Sequence, residues 1–284
     1  MTIWVDNRDV SAAQAPIAGV PRTEIPVPDA VQAIADGDRA TAVWRNVCGG
    51  VTFRIGPEHA ARCFVKWAPA ELAGTPEGDF TDEAARLRWV GSFVTVPAVL
   101  EMGRDDAGSW LVTSALNAFN AADRRWQGQP SVAARSIGFG LRRLHDLAPV
   151  DRCPFTWSVD DRKTQVHARL THGEGPSDWA PEHRHLAISE AREILSSPPP
   201  VDKLVVCHGD ACAPNTLLDE NGFYTAHVDL GSLGVADRWA DLAVAAWSLE
   251  WNFHLPCERA LFEGYGIQHD SDRLAYYRLL WDLS

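Results

Sequence analysis

Short segments of alternating apolar and polar residues dominate the chain between residues 40 and 113. Such alternation is typical of strands with one buried face. A helical pattern interrupts these segments at residues 80–90, where Thr81 or Asp82 can cap the helix and acidic residues fill its first turn. The pattern predicts a mainly β-sheet region with one helix, and its strands fall at residues 41–44, 51–55, 62–67, 94–100 and 109–113.

After residue 113 apolar residues recur mainly at helical spacing. Helices are predicted at residues 131–147, 163–170, 187–195, 236–249 and 272–283, with short strands at 204–206, 216–218 and 223–228. Asn221 and Gly222 separate the last two strands and suit a hairpin turn that needs positive φ at both centre positions. The sequence therefore predicts an α+β fold with a β-rich N-lobe (29–113) and a mainly helical C-lobe (114–284). Residues 1–28 are predicted to form an extended, proline-containing arm.

The composition does not change the predicted fold, but it limits the expected binding partners. A chain of 284 residues with 46% hydrophobic residues is long enough for two lobes that share a cleft. Its net charge of −12 argues against binding to nucleic acid or to an anionic membrane. The acidity could attract a polycationic small molecule, or it could simply aid solubility.

The six cysteines form no C-x-x-C pair and no zinc-site spacing. Free thiols in a reducing cytosol are the simplest explanation. No apolar run is long enough for a membrane helix, and the N-terminus lacks the features of a signal peptide, so a cytoplasmic location is expected. A cysteine nucleophile at Cys207 or Cys212 is an alternative, but no base lies at a supporting spacing.

Two motifs in the second half carry the chemistry. His208-Gly209-Asp210 is followed by Asn215, and Asp229-Leu230-Gly231 comes fourteen residues after Asn215. This spacing matches H-R-D-x-x-x-x-N and D-F-G of protein kinases. Phosphoryl transfer needs a carboxylate that orients the attacking hydroxyl and oxygen ligands for Mg²⁺. Asp210 is therefore predicted to be the catalytic residue. Asn215 and Asp229, which the hairpin brings together, are the predicted Mg²⁺ ligands.

The first half offers candidate residues for binding ATP or GTP. Gly49 and Gly50 lie at a strand-to-strand turn, where their backbone could approach phosphates closely. Lys66 on a following strand is expected to pair with the phosphates, and Glu83 on the helix is expected to be its ion-pair partner. Residues 113–116 form the predicted hinge, and the backbone of Ser114 and Leu116 is expected to pair with the purine edge.

The chain resembles the aminoglycoside phosphotransferases, in particular their 3′-phosphotransferase branch. The resemblance covers residues 30 to 284, and it rests on Lys66, residues 82–89, 142–145, 153–155, 207–215, 229–238 and 276–280. It implies a protein-kinase-like fold that transfers the γ-phosphate of ATP, or sometimes GTP, to a hydroxyl of a cationic aminosugar. It also implies that Asp282 and the terminal carboxylate of Ser284 bind the ammonium groups of the substrate. Glu250 and Asp178 are further acidic candidates for that role.

The chain departs from this family on the substrate side. Ser232 stands where resistance enzymes of the branch usually have Arg. Trp251 and Asn252 stand where they often have an acidic pair. A kinase of the same fold that acts on another hydroxylated metabolite or antibiotic is therefore an alternative. A nucleotide-binding pseudokinase is another, although the intact chemical motifs argue against it. The chain is expected to be a monomer or a weak dimer.

Overall fold

The computed structural model describes residues 19–284. The chain divides into two compact units between Ala118 and Phe119. Most of the expected arm at residues 1–28 lies outside the described residues, so the arm stays a prediction. The first described helix, α1, begins at Asp29.

The first unit is an antiparallel five-stranded sheet with two helices. The sheet has the order β1-β2-β3-β5-β4. Its elements are α1 (Asp29–Ala35), β1 (Ala40–Arg45), β2 (Val51–Ile55), β3 (Cys63–Pro69), α2 (Thr81–Val90), β4 (Val99–Arg104) and β5 (Gly108–Ser114). Alternate residues of β2 point into the core, where Phe53 and Ile55 are fully buried with Val31 of α1. This alternation is the sequence pattern that predicted the sheet.

The second unit is mainly helical and contains two small sheets. The sheets have the orders β6-β8-β9 and β10-β7. The elements are β6 (Phe119–Asn120), α3 (Pro130–Leu147), α4 (Val159–Thr171), α5 (Ile188–Ser196), β7 (Leu204–Cys207), β8 (Thr216–Leu218), β9 (Tyr224–His227), β10 (Gly234–Asp237), α6 (Trp239–Asn252), α7 (Glu258–Tyr265) and α8 (Ser271–Leu283).

Helices α3, α6 and α7 form much of the core of this unit. Helices α3 and α7 cross closely at Gly138 and Gly264, since a Cβ on either glycine would collide with backbone of the other helix. Helix α6 is buried along nearly its whole length. Helix α6 directly follows β10, and β10 pairs with β7. The helix therefore lies next to the loop that follows β7.

The structure differs from the predicted elements in several places. Strand β4 begins at Val99 rather than at residue 94, since Pro97 cannot donate to a sheet. The predicted helix 236–249 begins only at Trp239, because Asp237 ends strand β10 and its carboxylate accepts the Trp239 N–H. Helices α1 and α7 and strands β6 and β10 were not predicted, and α4 begins at Val159 rather than at residue 163. Within residues 19–284 no helix has the length and apolar character needed to cross a membrane.

Candidate active site

The loop that carries Asp210 follows the buried strand β7. Gly209 has a φ of +87° and lies so close to the backbone of Ser232 that a side chain at this position would collide with it. A positive φ and a close backbone approach both require glycine here. The glycine of the H-G-D motif therefore turns the chain between β7 and Asp210.

Asp241 of α6 holds this loop from below. Its fully buried carboxylate accepts hydrogen bonds from the backbone N–H groups of His208 (2.6 Å) and Gly209 (2.9 Å). His145 Nε2 lies 2.9 Å from the same carboxylate. Burial alone would raise the pKa of Asp241, but the hydrogen bonds and nearby histidines lower it. Asp241 escaped the sequence analysis, although it is an acidic residue inside an apolar helix.

The partly buried Asp210 carboxylate has a partner on each oxygen. Asn215 Nδ2 lies 3.2 Å from Oδ2, and it also donates to the Asp210 carbonyl at 2.9 Å. The Cys212 thiol lies 3.1 Å from Oδ1. Burial raises the pKa of Asp210, and the negative charge of Asp229 raises it further. A carboxylate with a raised pKa is suited to accept a proton.

The β8–β9 hairpin brings the two predicted metal ligands together. Thr216 pairs with His227, and the Val228 N–H donates to the Asn215 carbonyl at 2.9 Å. Asp229 has a φ of +61°, a conformation that Asp and Asn tolerate better than most side chains. Because Asn215 turns its Nδ2 toward Asp210, its side-chain oxygen stays available as a ligand. The Asn215 amide oxygen and the Asp229 carboxylate are hard oxygen ligands, which fit Mg²⁺.

In the first unit, Lys66 of β3 and Glu83 of α2 are in contact. Lys66 Nζ lies 2.6 Å and 2.8 Å from the two carboxylate oxygens of Glu83. Glu83 is largely buried, so this pair is better shielded from water than a surface ion pair. The sequence predicted this pairing, and its role in nucleotide binding stays a prediction.

The other predicted nucleotide-binding residues have partners inside the first unit. The N–H groups of Gly49 and Gly50 donate to the carbonyl and to the side-chain Oδ1 of Asn46, at 3.2 Å and 2.7 Å. The Ser114 N–H donates to the Ala98 carbonyl, and the Leu116 carbonyl accepts from the Ala118 N–H. Asn46 thus accepts hydrogen bonds from both N–H groups of the glycine turn, and the Ala98 carbonyl accepts the Ser114 N–H.

The structure gives Asp282 and Ser284 protein partners. The buried Asp282 carboxylate accepts from the Ala180 N–H at 2.9 Å and lies 2.6 Å from His183 Nδ1. The Ser284 hydroxyl accepts from Arg162, and its backbone oxygen accepts from Arg169 at 2.7 Å. In this conformation Asp282 connects the segment before α5 to α8, and the binding of substrate ammonium groups by Asp282 and Ser284 stays a prediction.

The remaining acidic candidates lie in different surroundings. Glu250 pairs with Arg278 at 2.9 Å. It lines a cavity of about 710 Å³ together with Glu182, His183, Trp247, Asp272 and Arg278. Asp178 is exposed and closes a turn by accepting the Gly175 N–H.

Trp251 belongs to an aromatic cluster rather than to an acidic pair. Its ring centroid lies 4.7 Å from that of Trp247 and 5.9 Å from that of Trp281. The buried members of this cluster pack against Cys212. Asn252 donates from Nδ2 to the carbonyl of Ser248 at 2.7 Å.

The buried thiols argue against a cysteine nucleophile. Cys207 and Cys212 are both buried, and burial raises their pKa values well above the ordinary range. A thiol must ionise to attack, so neither is activated. Within the described residues, His145, Cys207 and Asp241 form the one group of three His, Cys, Asp or Glu side chains whose ligand atoms lie close enough to hold a metal ion. Hydrogen bonds to protein partners already engage all three.

Residues 49–277 match the Phosphotransferase enzyme family. An aminoglycoside 3′-phosphotransferase of Streptomyces fradiae is 36% identical over 238 residues, which are 79% of this chain and 87% of that protein. The chain belongs to the aminoglycoside phosphotransferase family. This finding confirms the predicted family and identifies the chain as a phosphotransferase.

Two solved structures of this family are similar in fold. The crystal structure of aminoglycoside-3′-phosphotransferase of type VIII has a TM-score of 0.73 at 29% identity, and it covers 90% of this chain and 98% of its own. The phosphotransferase APH(3″)-Id of Streptomyces rimosus, in complex with ADP and streptomycin, has a TM-score of 0.62 at 27% identity, and it covers 82% and 90%. The predicted kinase-like α+β class is confirmed.

Proposed function

We propose that this phosphotransferase moves the γ-phosphate of ATP, or GTP, to a hydroxyl of a cationic aminosugar of the aminoglycoside type. The observation that carries the proposal is the Asp210 carboxylate, which Asn215 holds at 3.2 Å beside Asp229. Family membership supports the reaction class, and the net charge of −12 favours a cationic acceptor.

Asp210 is the proposed base. It orients the acceptor hydroxyl and takes its proton as the new oxygen–phosphorus bond forms and the bond to the leaving nucleoside diphosphate breaks. Asn215 and Asp229 would hold Mg²⁺, which neutralises charge on the phosphate oxygens when it is bound. Burial and the charge of Asp229 raise the pKa of Asp210, so the carboxylate is a better proton acceptor than an exposed one.

Lys66 is the proposed phosphate ligand of the first unit, and Glu83 is the residue that positions it. Two short contacts to Glu83 keep the Lys66 ammonium in one place, which lowers the entropic cost of binding a phosphate. Gly49 and Gly50 would approach the phosphates once Asn46 releases their N–H groups. Ser114 and Leu116 are proposed to flank the purine.

The acceptor is proposed to bind to acidic residues of the second unit. Glu250 and Glu182 line one cavity, and the exposed Asp178 lies shortly before Glu182 in the sequence. The relative solved with ADP and streptomycin supports a nucleotide together with an aminoglycoside. A second candidate, a kinase for a less cationic hydroxylated compound, is favoured by the aromatic packing of Trp251 in place of an acidic residue. The chain is further proposed to work in the cytosol, as a monomer or weak dimer.

The test is the release of nucleoside diphosphate with Mg²⁺ and a panel of kanamycin, streptomycin, a neutral sugar and an amino alcohol. We expect aminoglycoside-dependent turnover that falls 10²- to 10⁴-fold in Asp210→Asn. Asp160→Asn is the matched control, because that side chain is 92% exposed. Turnover only with the neutral compounds would favour the second candidate. No turnover with any acceptor would favour the pseudokinase.

A further inference from the structure

Cys212 contacts the second oxygen of the Asp210 carboxylate, Oδ1. The thiol sulfur lies 3.1 Å from Asp210 Oδ1, well inside the distance for a hydrogen bond that involves sulfur. The side chain is 1% exposed, so no water competes for the contact. Burial raises the pKa of the thiol well above its ordinary range, which keeps the S–H proton in place as a donor.

Ser248 of α6 anchors the loop next to Cys212. The buried Ser248 hydroxyl accepts from the Ala213 N–H at 2.9 Å and from Asn252 Nδ2 at 3.1 Å. Because Ala213 directly follows Cys212, its hydrogen bond to Ser248 anchors the backbone beside the thiol. Asp210 Oδ1 is the acceptor that the structure shows for the Cys212 hydrogen.

The packing around Cys212 leaves the thiol little freedom to move away. Cys212 belongs to a cluster with Val244, Trp247 and Trp281, and densely packed side chains keep a single rotamer. Asn215 contacts the other carboxylate oxygen of Asp210. The carboxylate is therefore held at both oxygens, by an amide on one side and by a thiol on the other.

We propose that Cys212 is a positioning residue for the phosphoryl transfer: its thiol donates to Asp210 Oδ1 and fixes the carboxylate plane for the acceptor hydroxyl. The proposal rests on the proposed role of Asp210. The thiol itself forms no covalent bond with the substrate. Its effect is on orientation, so it should change turnover rather than the binding of the nucleotide.

The kinetic test compares Cys212→Ala, Cys212→Ser and the parent enzyme. We expect Cys212→Ala to lower kcat about tenfold, while KM for the nucleotide stays within about twofold. Cys212→Ser retains a hydrogen-bond donor, so it should recover kcat to within about threefold of the parent. A parental kcat in Cys212→Ala would overturn the proposal. A serine variant as slow as the alanine variant would also overturn it, since packing would then explain the loss.

Cys207→Ala is the matched control for the removal of a buried thiol. Cys207 is also fully buried, and its thiol donates to the Asp237 carbonyl rather than to Asp210. The control should retain kcat within about twofold. An equal loss of kcat in the Cys207 and Cys212 variants would show that any cavity in this region slows the enzyme, and it would remove the special role of Cys212.

A spectroscopic test does not depend on turnover. Infrared difference spectra of the parent minus each Cys→Ala variant isolate the S–H stretching bands of Cys212 and Cys207. We expect the Cys212 band at lower wavenumber, because a carboxylate at 3.1 Å is a stronger acceptor than a carbonyl at 3.4 Å. The band should move to higher wavenumber in Asp210→Ala. An unmoved band overturns the hydrogen bond. If the band moves in Asp210→Ala but the parent enzyme has no kinase activity, the hydrogen bond is confirmed and the proposed function is refuted.

Discussion

Asn215 donates from its side-chain amide both to the carbonyl of Asp210, at 2.9 Å, and toward its carboxylate, at 3.2 Å. One side chain therefore has two separable tasks. Its nitrogen fixes the position of the Asp210 carboxylate, the proposed base, and its oxygen stays available for a cation. The five-residue spacing of the motif places the two residues on either side of one short turn, where both tasks are possible.

The first prediction separates these tasks by substitution. Asn215→Ala removes both, and we expect the Mg²⁺ concentration for half-maximal activity to rise about tenfold, at ~1.4 kcal/mol per decade. Asn215→Asp keeps an oxygen ligand and should retain the parental Mg²⁺ dependence with a lower kcat. Asp229→Asn tolerates the positive φ but removes one negative charge from the proposed metal site, so it should also raise the Mg²⁺ concentration for half-maximal activity. The measurement is a Mg²⁺ titration of activity. Parental titration curves for Asn215→Ala and Asp229→Asn would place the metal elsewhere.

The second prediction concerns the Lys66–Glu83 pair. Glu83→Gln should reduce kcat/KM for the nucleotide by about 10- to 100-fold, since hydrogen bonds between charged groups contribute about 1.5–3 kcal/mol. KM for the acceptor should be unchanged. Asp82→Asn on the same helix is the control, because that side chain is 81% exposed. Steady-state kinetics with each substrate varied decides the matter, and equal effects of the two substitutions would count against the pair.

The third prediction concerns Ser232, whose backbone packs against Gly209 next to Asp210. An arginine here would bring a fixed positive charge to the catalytic loop. We expect low kcat/KM of the parent for kanamycin-like substrates and an improvement of about tenfold in Ser232→Arg, within the range of one charged hydrogen bond. Ser232→Gln, which has a longer side chain without charge, should not improve the enzyme. A high kcat/KM of the parent for kanamycin-like substrates would show that Ser232 does not impair the enzyme.

The fourth prediction is a pH dependence of stability that comes from His227. Burial lowers the pKa of this histidine to about 3, below its value of about 6.5 in the unfolded chain. The unfolded state therefore binds more protons, and stability falls as the pH falls below about 6.5. Between pH 7 and pH 5 the parent should lose about 2 kcal/mol more of unfolding free energy than His227→Gln. Urea titrations at the two pH values measure this. Equal losses would mean that His227 ionises in the folded protein.

The local features of the fold were largely predictable. The alternation in β2 and the hairpin at Asn221 and Gly222 are determined by neighbours in sequence, and the structure confirms both elements. The predicted turn geometry was wrong at Asn221, because only Gly222 has a positive φ. The contact of Lys66 with Glu83 was also predicted, because kinase-like motifs fix both residues within one unit. Where a proline or an acidic cap ends an element, as before β4 and α6, the predicted boundaries were wrong by several residues.

The support of the catalytic loop was not predictable in the same way. Asp241 and Ser248 of α6 contact the loop, and His145 of α3 contacts Asp241. These residues are tens of positions away in the chain, and no sequence motif around them indicates the contacts. The partners of Asp282 were equally hidden. They depend on the path of residues 178–183, which has no regular periodicity. Such contacts follow from tertiary packing, which residue spacing alone does not specify.

The uneven exposure of the cysteines makes the chain a natural target for a single reporter group. Cys48 is exposed, Cys153 is partly covered, and the other four are buried. A maleimide dye should therefore react first with Cys48, which immediately precedes the Gly49–Gly50 turn that Asn46 now closes. Fluorescence from that dye would follow the turn in real time as nucleotide is added, without any engineered cysteine.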